Sequence, residues 1–159
     1  MAVKTMKQRI FAGNTCEQIV YNLPEGTRNP KGYDPERPSR KRFKDEADRE
    51  HHRAEISRRK FVRLVNANME PGDLNVTLTF NNEWEVHTFE DARRIRNNYI
   101  RTLVRKYPDA VIFAVMGRGR GTARIHFHFL IKGIPAEFVS QKWKYGEVVR
   151  IEPLRTHCW

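Results

Sequence analysis

The sequence predicts an α+β fold in which one antiparallel sheet carries helices on a single face, preceded by an N-terminal arm and a basic helix. Two patterns predict it. Over residues 74–152, strand-like alternation and helix-like spacing follow one another in the order β-α-β-β-α-β. Before these elements the chain is highly charged and is interrupted by prolines. We therefore expect an arm at residues 1–43, a basic helix at residues 44–70 and an α+β core at residues 71–159.

The N-terminal regions differ in composition. A short strand or hairpin is expected within residues 9–21, around Gly13-Asn14. Residues 22–39 contain four prolines and two glycines, which predict a loop because such a segment propagates neither a helix nor a strand ladder. Residues 44–68 lack both glycine and proline and carry many charges, so we expect a solvated basic helix there.

Each element of the core has its own signal. Residues 74–80 alternate apolar and polar side chains, as a strand does. Thr88 is the expected N-cap of an amphipathic helix that ends before Pro108. The other elements are expected at residues 111–116 (strand), 117–121 (glycine-rich connection), 124–132 (strand), 135–143 (short helix) and 147–152 (strand). This order is typical of the ferredoxin-like arrangement, whose two helices cover one face of the sheet and leave the other for a site.

The charge indicates the class of partner. The chain carries 30 Lys and Arg against 19 Asp and Glu, a net charge of +11. Residues 37–63 hold eleven basic residues against five acids, and residues 93–106 hold six basic residues and no acid. A face without acids cannot neutralise itself by ion pairs, which favours nucleic acid as the partner. The arginines expected to contact it are Arg94, Arg101, Arg105, Arg118, Arg120 and Arg124.

Several other classes of protein are not indicated. No run of about 18 apolar residues predicts a membrane span, and the N-terminus lacks the apolar stretch of a secretory signal. Cys16 and Cys158 are too few and too far apart in sequence to predict a disulfide or metal framework. We therefore expect a reducing, cytoplasmic setting.

One predicted strand carries the clearest chemical signal. Arg124, His126 and His128 alternate with apolar residues, so both imidazoles are expected on the face away from the helices. They start about 7 Å apart, twice the rise of a strand, and can lean together to bind one divalent ion. Thr77 and Thr79 are expected beside them if the first and third strands pair, and we expect both threonines to contact the nucleic acid. Two neutral histidines on a half-exposed strand are the alternative, and the nearby arginines favour a metal that acts on a phosphodiester.

Four short motifs carry a resemblance to a known family, and their order and spacing agree with the predicted fold: residues 9–13, residues 75–80, His126-Phe127-His128 and residues 143–148. They resemble the rolling-circle replication initiators (Rep), the HUH (His-hydrophobic-His) endonucleases of plasmids and single-stranded DNA phages. The first is similar to the start of a plasmid subgroup, and the second to a TLT-type strand. The third resembles the metal-binding motif, and the fourth the Trp-x-x-Gly stretch before the last strand. The resemblance covers most of the chain and implies a Rep-like protein of a mobile genetic element, in the cytoplasm of a bacterial host.

The resemblance implies metal-assisted nucleophilic cleavage of one DNA strand. In the family, the His pair and a third polar ligand hold Mg²⁺ or Mn²⁺, and a tyrosine on a later helix attacks the phosphate and stays linked to the 5′ end. Here the chain stops at Trp159, just after the last predicted strand, so we expect a fragment or a naturally shortened initiator with nicking incomplete or lost. The tyrosine nearest the expected position is Tyr145. The candidate third ligands are Glu83, His87 and Glu152.

Three functions remain open. The first is an initiator-type domain that binds single-stranded or hairpin DNA with a divalent metal. The second is an inhibitor from a mobile element, such as an anti-CRISPR protein that reuses this fold to bind nucleic acid or a CRISPR nuclease complex. The third is an RNA-recognition module, which would need aromatic side chains on the open sheet face. Phe127 and Phe129 are expected on the helix side, which counts against the third function.

Overall fold

The computed structural model of the protein describes four stretches of the chain: residues 4–23, 44–84, 86–119 and 124–155. By its contacts the chain divides into two compact units, Met1–Ala67 and Asn68–Trp159. The predicted proline-rich loop lies almost wholly outside the described residues.

The first unit contains a β-hairpin and a long helix. Strands β1 (Lys4–Ala12) and β2 (Thr15–Leu23) pair antiparallel around Gly13-Asn14, as the sequence predicts. Helix α1 (Glu46–Asn68) is the predicted basic helix. Gly13 has a φ of 57° and lies against the Asn66 carbonyl of α1, so that position admits no side chain without strain.

The second unit is built on a four-stranded sheet. Its elements are β3 (Leu74–Thr79), α2 (Phe89–Lys106), β4 (Val111–Arg118), β5 (Ile125–Lys132), α3 (Ala136–Lys142) and β6 (Val148–Pro153). The strand order is β4-β5-β3-β6 and every neighbouring pair is antiparallel, so the predicted α+β class is confirmed. Several predicted boundaries differ from the observed ones by one residue. The end of β4 differs by two: Gly117 and Arg118 belong to β4 and not to the predicted connection. The reason is that they extend the β5 ladder by two residue pairs.

Local sequence explains where α2 begins. Thr88 is its N-cap, as predicted, and the Thr88 Oγ1 accepts a hydrogen bond from the Asp91 backbone N–H at 3.1 Å. Glu90 and Asp91 lie in the first turn, where negative charge is stabilised by the helix dipole. None of the helices in the described part of the chain is long and apolar enough to cross a membrane.

One face of the sheet holds the hydrophobic core. Val76, Phe127 and Phe129 are fully buried there, packed with apolar side chains of α2 and α3. Tyr99 of α2 lies in this core, and its hydroxyl donates to the Val139 carbonyl of α3 at 2.7 Å. Burial of the phenol raises the pKa of Tyr99, so this hydroxyl stays protonated. Both helices are thereby held on the same side of the sheet.

The turn before β6 fixes the end of β3. Trp143 Nε1 donates to the Thr79 carbonyl at 3.1 Å. Gly146 lies against the same carbonyl, where a Cβ atom would overlap it. The Trp-x-x-Gly pattern therefore has a structural basis, because both of its residues hold the strand position that pairs with His126.

Candidate metal and nucleic-acid site

The two predicted metal ligands lie on β5, on the sheet face opposite the core. Phe127 between them is buried in the core, so strand alternation projects His126 and His128 from the other face. The register between β3 and β5 places Thr77 opposite His128 and Thr79 opposite His126, which agrees with the predicted neighbours. The four side chains form a compact polar group on one face of the sheet.

The two imidazole rings approach each other closely. Their centroids are 4.8 Å apart and the ring planes meet at 83°. The Thr77 Oγ1 lies 3.1 Å from His128 Nδ1. When Nδ1–H donates to this hydroxyl, His128 Nε2 carries the lone pair that a metal ion requires. Nitrogens of adjacent imidazoles are ligands that one divalent ion can share.

The surroundings of His128 favour its neutral form. Desolvation in the sheet lowers the pKa of His128, and repulsion from His126 lowers it further. Only a neutral imidazole coordinates a metal, because protonation occupies its lone pair. His128 therefore remains a potential ligand at a lower pH than an ordinary histidine does.

Gly117 is a site residue that the sequence analysis did not identify. It lies on β4 directly opposite His126. A Cβ atom at Gly117 would lie 2.9 Å from His126 Nε2 and 3.3 Å from His126 Cε1. The imidazole thus occupies space that a side chain at this position would take. A glycine inside a strand is the sequence signal for such a close approach, but the strand was expected to end before Gly117.

Among the described residues, no third ligand of the His, Cys, Asp or Glu type joins the pair. In the described part of the chain, no group of three or more such side chains could hold a metal ion. Glu152 is instead engaged by Arg150 at 2.7 Å and by the Asn75 amide at 3.3 Å. Glu83 and His87, the other two candidates, form no such group either. Any further coordination would have to come from hydroxyl groups, water or a phosphate oxygen.

Arg118 lies at the end of β4, one residue beyond Gly117. Its Nη2 donates to the His87 carbonyl at 3.2 Å, and its guanidinium carbon lies 4.9 Å from the centroid of the Phe89 ring. Both contacts belong to the segment that enters α2. Gly117 shares the face of His126, so strand alternation places the Arg118 side chain on the core side, and these contacts hold its guanidinium there, away from the imidazoles.

Two other arginines lie on or directly beside the strands of the site. Arg124 directly precedes β5 and donates to the Asn82 side-chain oxygen. Arg150, which the sequence analysis did not select, lies on β6 opposite Thr77 and its side chain is 62% exposed. Its position could be found only from the register of β6. Arg120 was also predicted to bind nucleic acid, and it lies outside the described residues.

The three predicted arginines of α2 lie on a different face of the second unit. Helix α2 packs on the core side of the sheet, so Arg94, Arg101 and Arg105 are separated from the His pair by the sheet itself. Arg94 pairs with Asp91 at 3.3 Å and its side chain is 76% exposed. Arg101 donates to the Asn98 side-chain oxygen at 3.4 Å. The predicted basic residues therefore form two surfaces.

The tyrosines of the described chain do not lie with the His pair. Tyr145 packs on the core side, with ring centroids 5.3 Å from Trp143 and 4.9 Å from Trp84. Tyr99 is buried, and Tyr107 packs beside the core at the end of α2. This arrangement gives no support to Tyr145 as a nucleophile for a phosphate held at the histidines. Two other tyrosines fall outside what the structure describes: the side chain of Tyr21 and the whole of Tyr33.

Comparison with known proteins adds no assignment. No protein-family model, no curated protein and no solved structure matches this chain. Function is therefore argued from the chemistry of the site, since a fold by itself does not specify an activity.

Proposed function

We propose that this chain is a Rep-like DNA-binding domain of the HUH endonuclease type, from a plasmid, phage or other mobile element of a bacterial host. It binds single-stranded or hairpin DNA, and Mg²⁺ or Mn²⁺ at His126 and His128 strengthens the binding. The element order and the strand order β4-β5-β3-β6 support a ferredoxin-like sheet for this domain. The proposal assigns binding alone, because no tyrosine of the described chain lies beside the two histidines.

The observation that carries the proposal is a polar row across three strands. The row consists of paired positions on β6, β3 and β5: Arg150, Thr77 and His128. The His126 ring lies beside it, with its centroid 4.8 Å from that of His128. A divalent ion on the imidazoles would polarise a phosphoryl oxygen, which is the Lewis-acid role of such ions. A guanidinium would donate hydrogen bonds to the same phosphate group. Together these groups would supply the positive charge and the hydrogen-bond donors that bind a phosphodiester.

Two features support a nucleic-acid strand as the source of that phosphate. The net charge of +11 favours association with a polyanion. Trp84, in the segment whose residues bind Arg118 and Arg124, is 45% exposed and offers a surface on which an unpaired base can stack. Phe127 and Phe129 are buried, so they cannot form the exposed aromatic sheet of an RNA-recognition module.

Fluorescence anisotropy with labelled hairpin and single-stranded DNA tests the proposal. We expect the affinity to fall about tenfold when EDTA replaces Mn²⁺, which is the scale of effect found when a metal centre is impaired. The double variant His126→Ala with His128→Ala should show that lower affinity in both conditions. The control is His51→Ala, because His51 is an exposed histidine of α1. Equal affinity with and without Mn²⁺ in the unsubstituted protein would refute the metal-dependent part of the proposal.

A denaturing gel of the same mixtures, run after protease treatment, separates two further outcomes. A covalent adduct at a 5′ end that disappears in His128→Ala would extend the proposal from binding to nicking. The inhibitor alternative makes a different prediction, because its activity need not use the metal. Inhibition of a CRISPR nuclease that persists in the double histidine variant, together with metal-independent binding, would favour that alternative.

A further inference from the structure

The second unit contains a cavity of about 250 Å³ on the helix side of the sheet, away from the His pair. It lies between α2 and the segment that leads from α3 to β6. Six residues line it: Asn98, Tyr99, Thr102, Lys142, Lys144 and Tyr145. The volume falls just below the range of about 300–1,000 Å³ for pockets that hold drug-sized molecules. It therefore suits a small group, such as one inorganic anion or one esterified acid group.

The lining of this cavity is cationic. Lys142 and Lys144 both border it, and Lys142 Nζ lies 5.1 Å from the centroid of the Phe138 ring, which limits the positions of that ammonium. Among the described residues, no acidic side chain lies within ion-pairing distance of Lys142 or Lys144. Two ammonium groups that share a cavity without a carboxylate repel each other until an anion lies between them.

Neutral hydrogen-bond donors complete the lining. The Asn98 side-chain oxygen accepts a hydrogen bond from Arg101, which leaves the Asn98 amide nitrogen to donate elsewhere. The ring of Tyr145 is held between Trp84 and Trp143, and its hydroxyl has no hydrogen-bond partner among the described residues. Amide, hydroxyl and ammonium donors around one space are the groups that recognise the oxygens of a phosphate.

The cavity adjoins the basic face of α2. Asn98 and Thr102 are four residues apart and both line it, which places their face of the helix against the cavity. Arg94, Arg101 and Arg105 are spaced three or four residues from these two, so they lie on or beside the same face. These arginines do not line the cavity, but they add positive charge to the helix face beside it.

We propose that this cavity binds a phosphate group, held by Lys142, Lys144 and the Tyr145 hydroxyl. The phosphate comes from a nucleic-acid strand that passes along α2, or from a free phosphate or pyrophosphate anion. The first source rests on the proposed nucleic-acid binding, whereas the site itself does not. The site lies on the opposite face from the histidines and needs no metal. The α2 arginines do not take part in the polar row of the sheet. A phosphate in the cavity would give them a ligand to attract.

Amide NMR spectra of the full chain test the site directly. Pyrophosphate, added without metal, should shift the amide signals of Asn98, Thr102 and Tyr145 in a saturable manner. The double variant Lys142→Gln with Lys144→Gln should lose these shifts, and Tyr145→Phe should weaken pyrophosphate binding several-fold. The control is Lys7→Gln with Lys60→Gln, which removes the same charge from exposed positions of the first unit. If the double variant at 142 and 144 responds to pyrophosphate as the unsubstituted protein does, the site is refuted.

A second arm distinguishes the sources of the phosphate. Binding of a single-stranded oligonucleotide in EDTA is measured over a series of salt concentrations. If a strand phosphate occupies the cavity, the lysine variant binds about tenfold more weakly and its salt slope falls by about 0.7, the value for one phosphate of a single strand. If the oligonucleotide affinity is unchanged while the pyrophosphate shifts are lost, the ligand is the free anion.

The two proposals fail in different ways. Mn²⁺ binding at the His pair is measured by paramagnetic broadening of the His128 amide signal. This broadening should be the same in the lysine variant as in the unsubstituted protein. If the lysine variant loses the pyrophosphate shifts and keeps normal Mn²⁺ broadening, the result supports the phosphate site in the cavity as a site separate from the His pair. Absence of Mn²⁺ broadening with intact pyrophosphate shifts refutes the metal at the histidines and leaves the cavity standing. Pyrophosphate that shifts none of the three lining amides refutes the cavity.

Discussion

The substitution Gly117→Ala tests how closely the sheet holds the His126 imidazole. The added Cβ would lie 2.9 Å from His126 Nε2, whereas ordinary contacts begin at 3.4 Å, so the ring must withdraw by about 0.5 Å. Gly117 does not have a positive φ, and alanine is therefore compatible with its backbone. The ring is the flexible partner in this contact, so the strain falls on His126 and not on the strands.

The expected effect is on metal binding and not on folding. Metal–ligand distances tolerate deviations of about 0.2 Å, so a displacement of about 0.5 Å removes His126 as a well-placed ligand. We expect Mn²⁺ to bind about tenfold more weakly, on the scale of perturbed metal centres. The free energy of unfolding should change by less than about 1 kcal/mol, since the substitution adds one methyl group at a partly exposed position.

Isothermal titration with Mn²⁺ and urea denaturation measure the two effects. The matched control is Val115→Ala, because Val115 lies on the same face of β4, opposite His128, and is 45% exposed. His126→Ala gives the reference for complete loss of that ligand. Unchanged Mn²⁺ affinity in Gly117→Ala, with a clear loss in His126→Ala, would show that the steric reasoning is wrong. No change in either variant would show that His126 is not a ligand.

Three further predictions concern the same region. Thr77→Val removes the hydroxyl partner of His128 Nδ1 at nearly constant volume, and calorimetry should show about tenfold weaker Mn²⁺ binding. In metal-free protein the NMR-titrated pKa of His128 should lie below the ordinary value of about 6.5 and rise only part of the way in His126→Ala, because desolvation is the larger cause. The stability that neutral His128 contributes is fully present above the unfolded-state pKa of about 6.5. It is lost as the pH falls from there through the lower pKa of the folded state. Gly146→Ala places a Cβ against the Thr79 carbonyl, which cannot yield, so urea denaturation should show a loss of about 3 kcal/mol.

Local patterns in the sequence were enough to predict the elements of the second unit. Alternation in β3 and β5 follows from the geometry of an extended chain, in which successive side chains point to opposite faces. That rule separates His126 and His128 from Phe127 without any knowledge of the fold. The N-cap at Thr88 is equally local, because the capping bond spans three residues. Such signals need only neighbouring residues, which is why the order of elements could be predicted.

The residues that meet the His pair follow from the pairing of the strands. The pairing register of three strands places Thr77 beside His128, brings Arg150 into the same row and sets Gly117 under His126. A register depends on contacts between residues far apart in sequence, and a shift of one position would reverse every face. The ladder also extends β4 beyond its predicted end.

The separation of the basic residues was likewise set by packing. Arg94, Arg101 and Arg105 share a sign and a composition with Arg118 and Arg124, so the sequence alone assigns them to one kind of surface. The apolar stripe of α2 packs on the core face of the sheet, so its arginines and the histidines lie on different sides of the sheet. Charge is a property of the residue, whereas the face it occupies depends on how the helix packs. The sequence therefore determined the chemistry available to this protein, and the tertiary structure determined which groups can act on the same ligand.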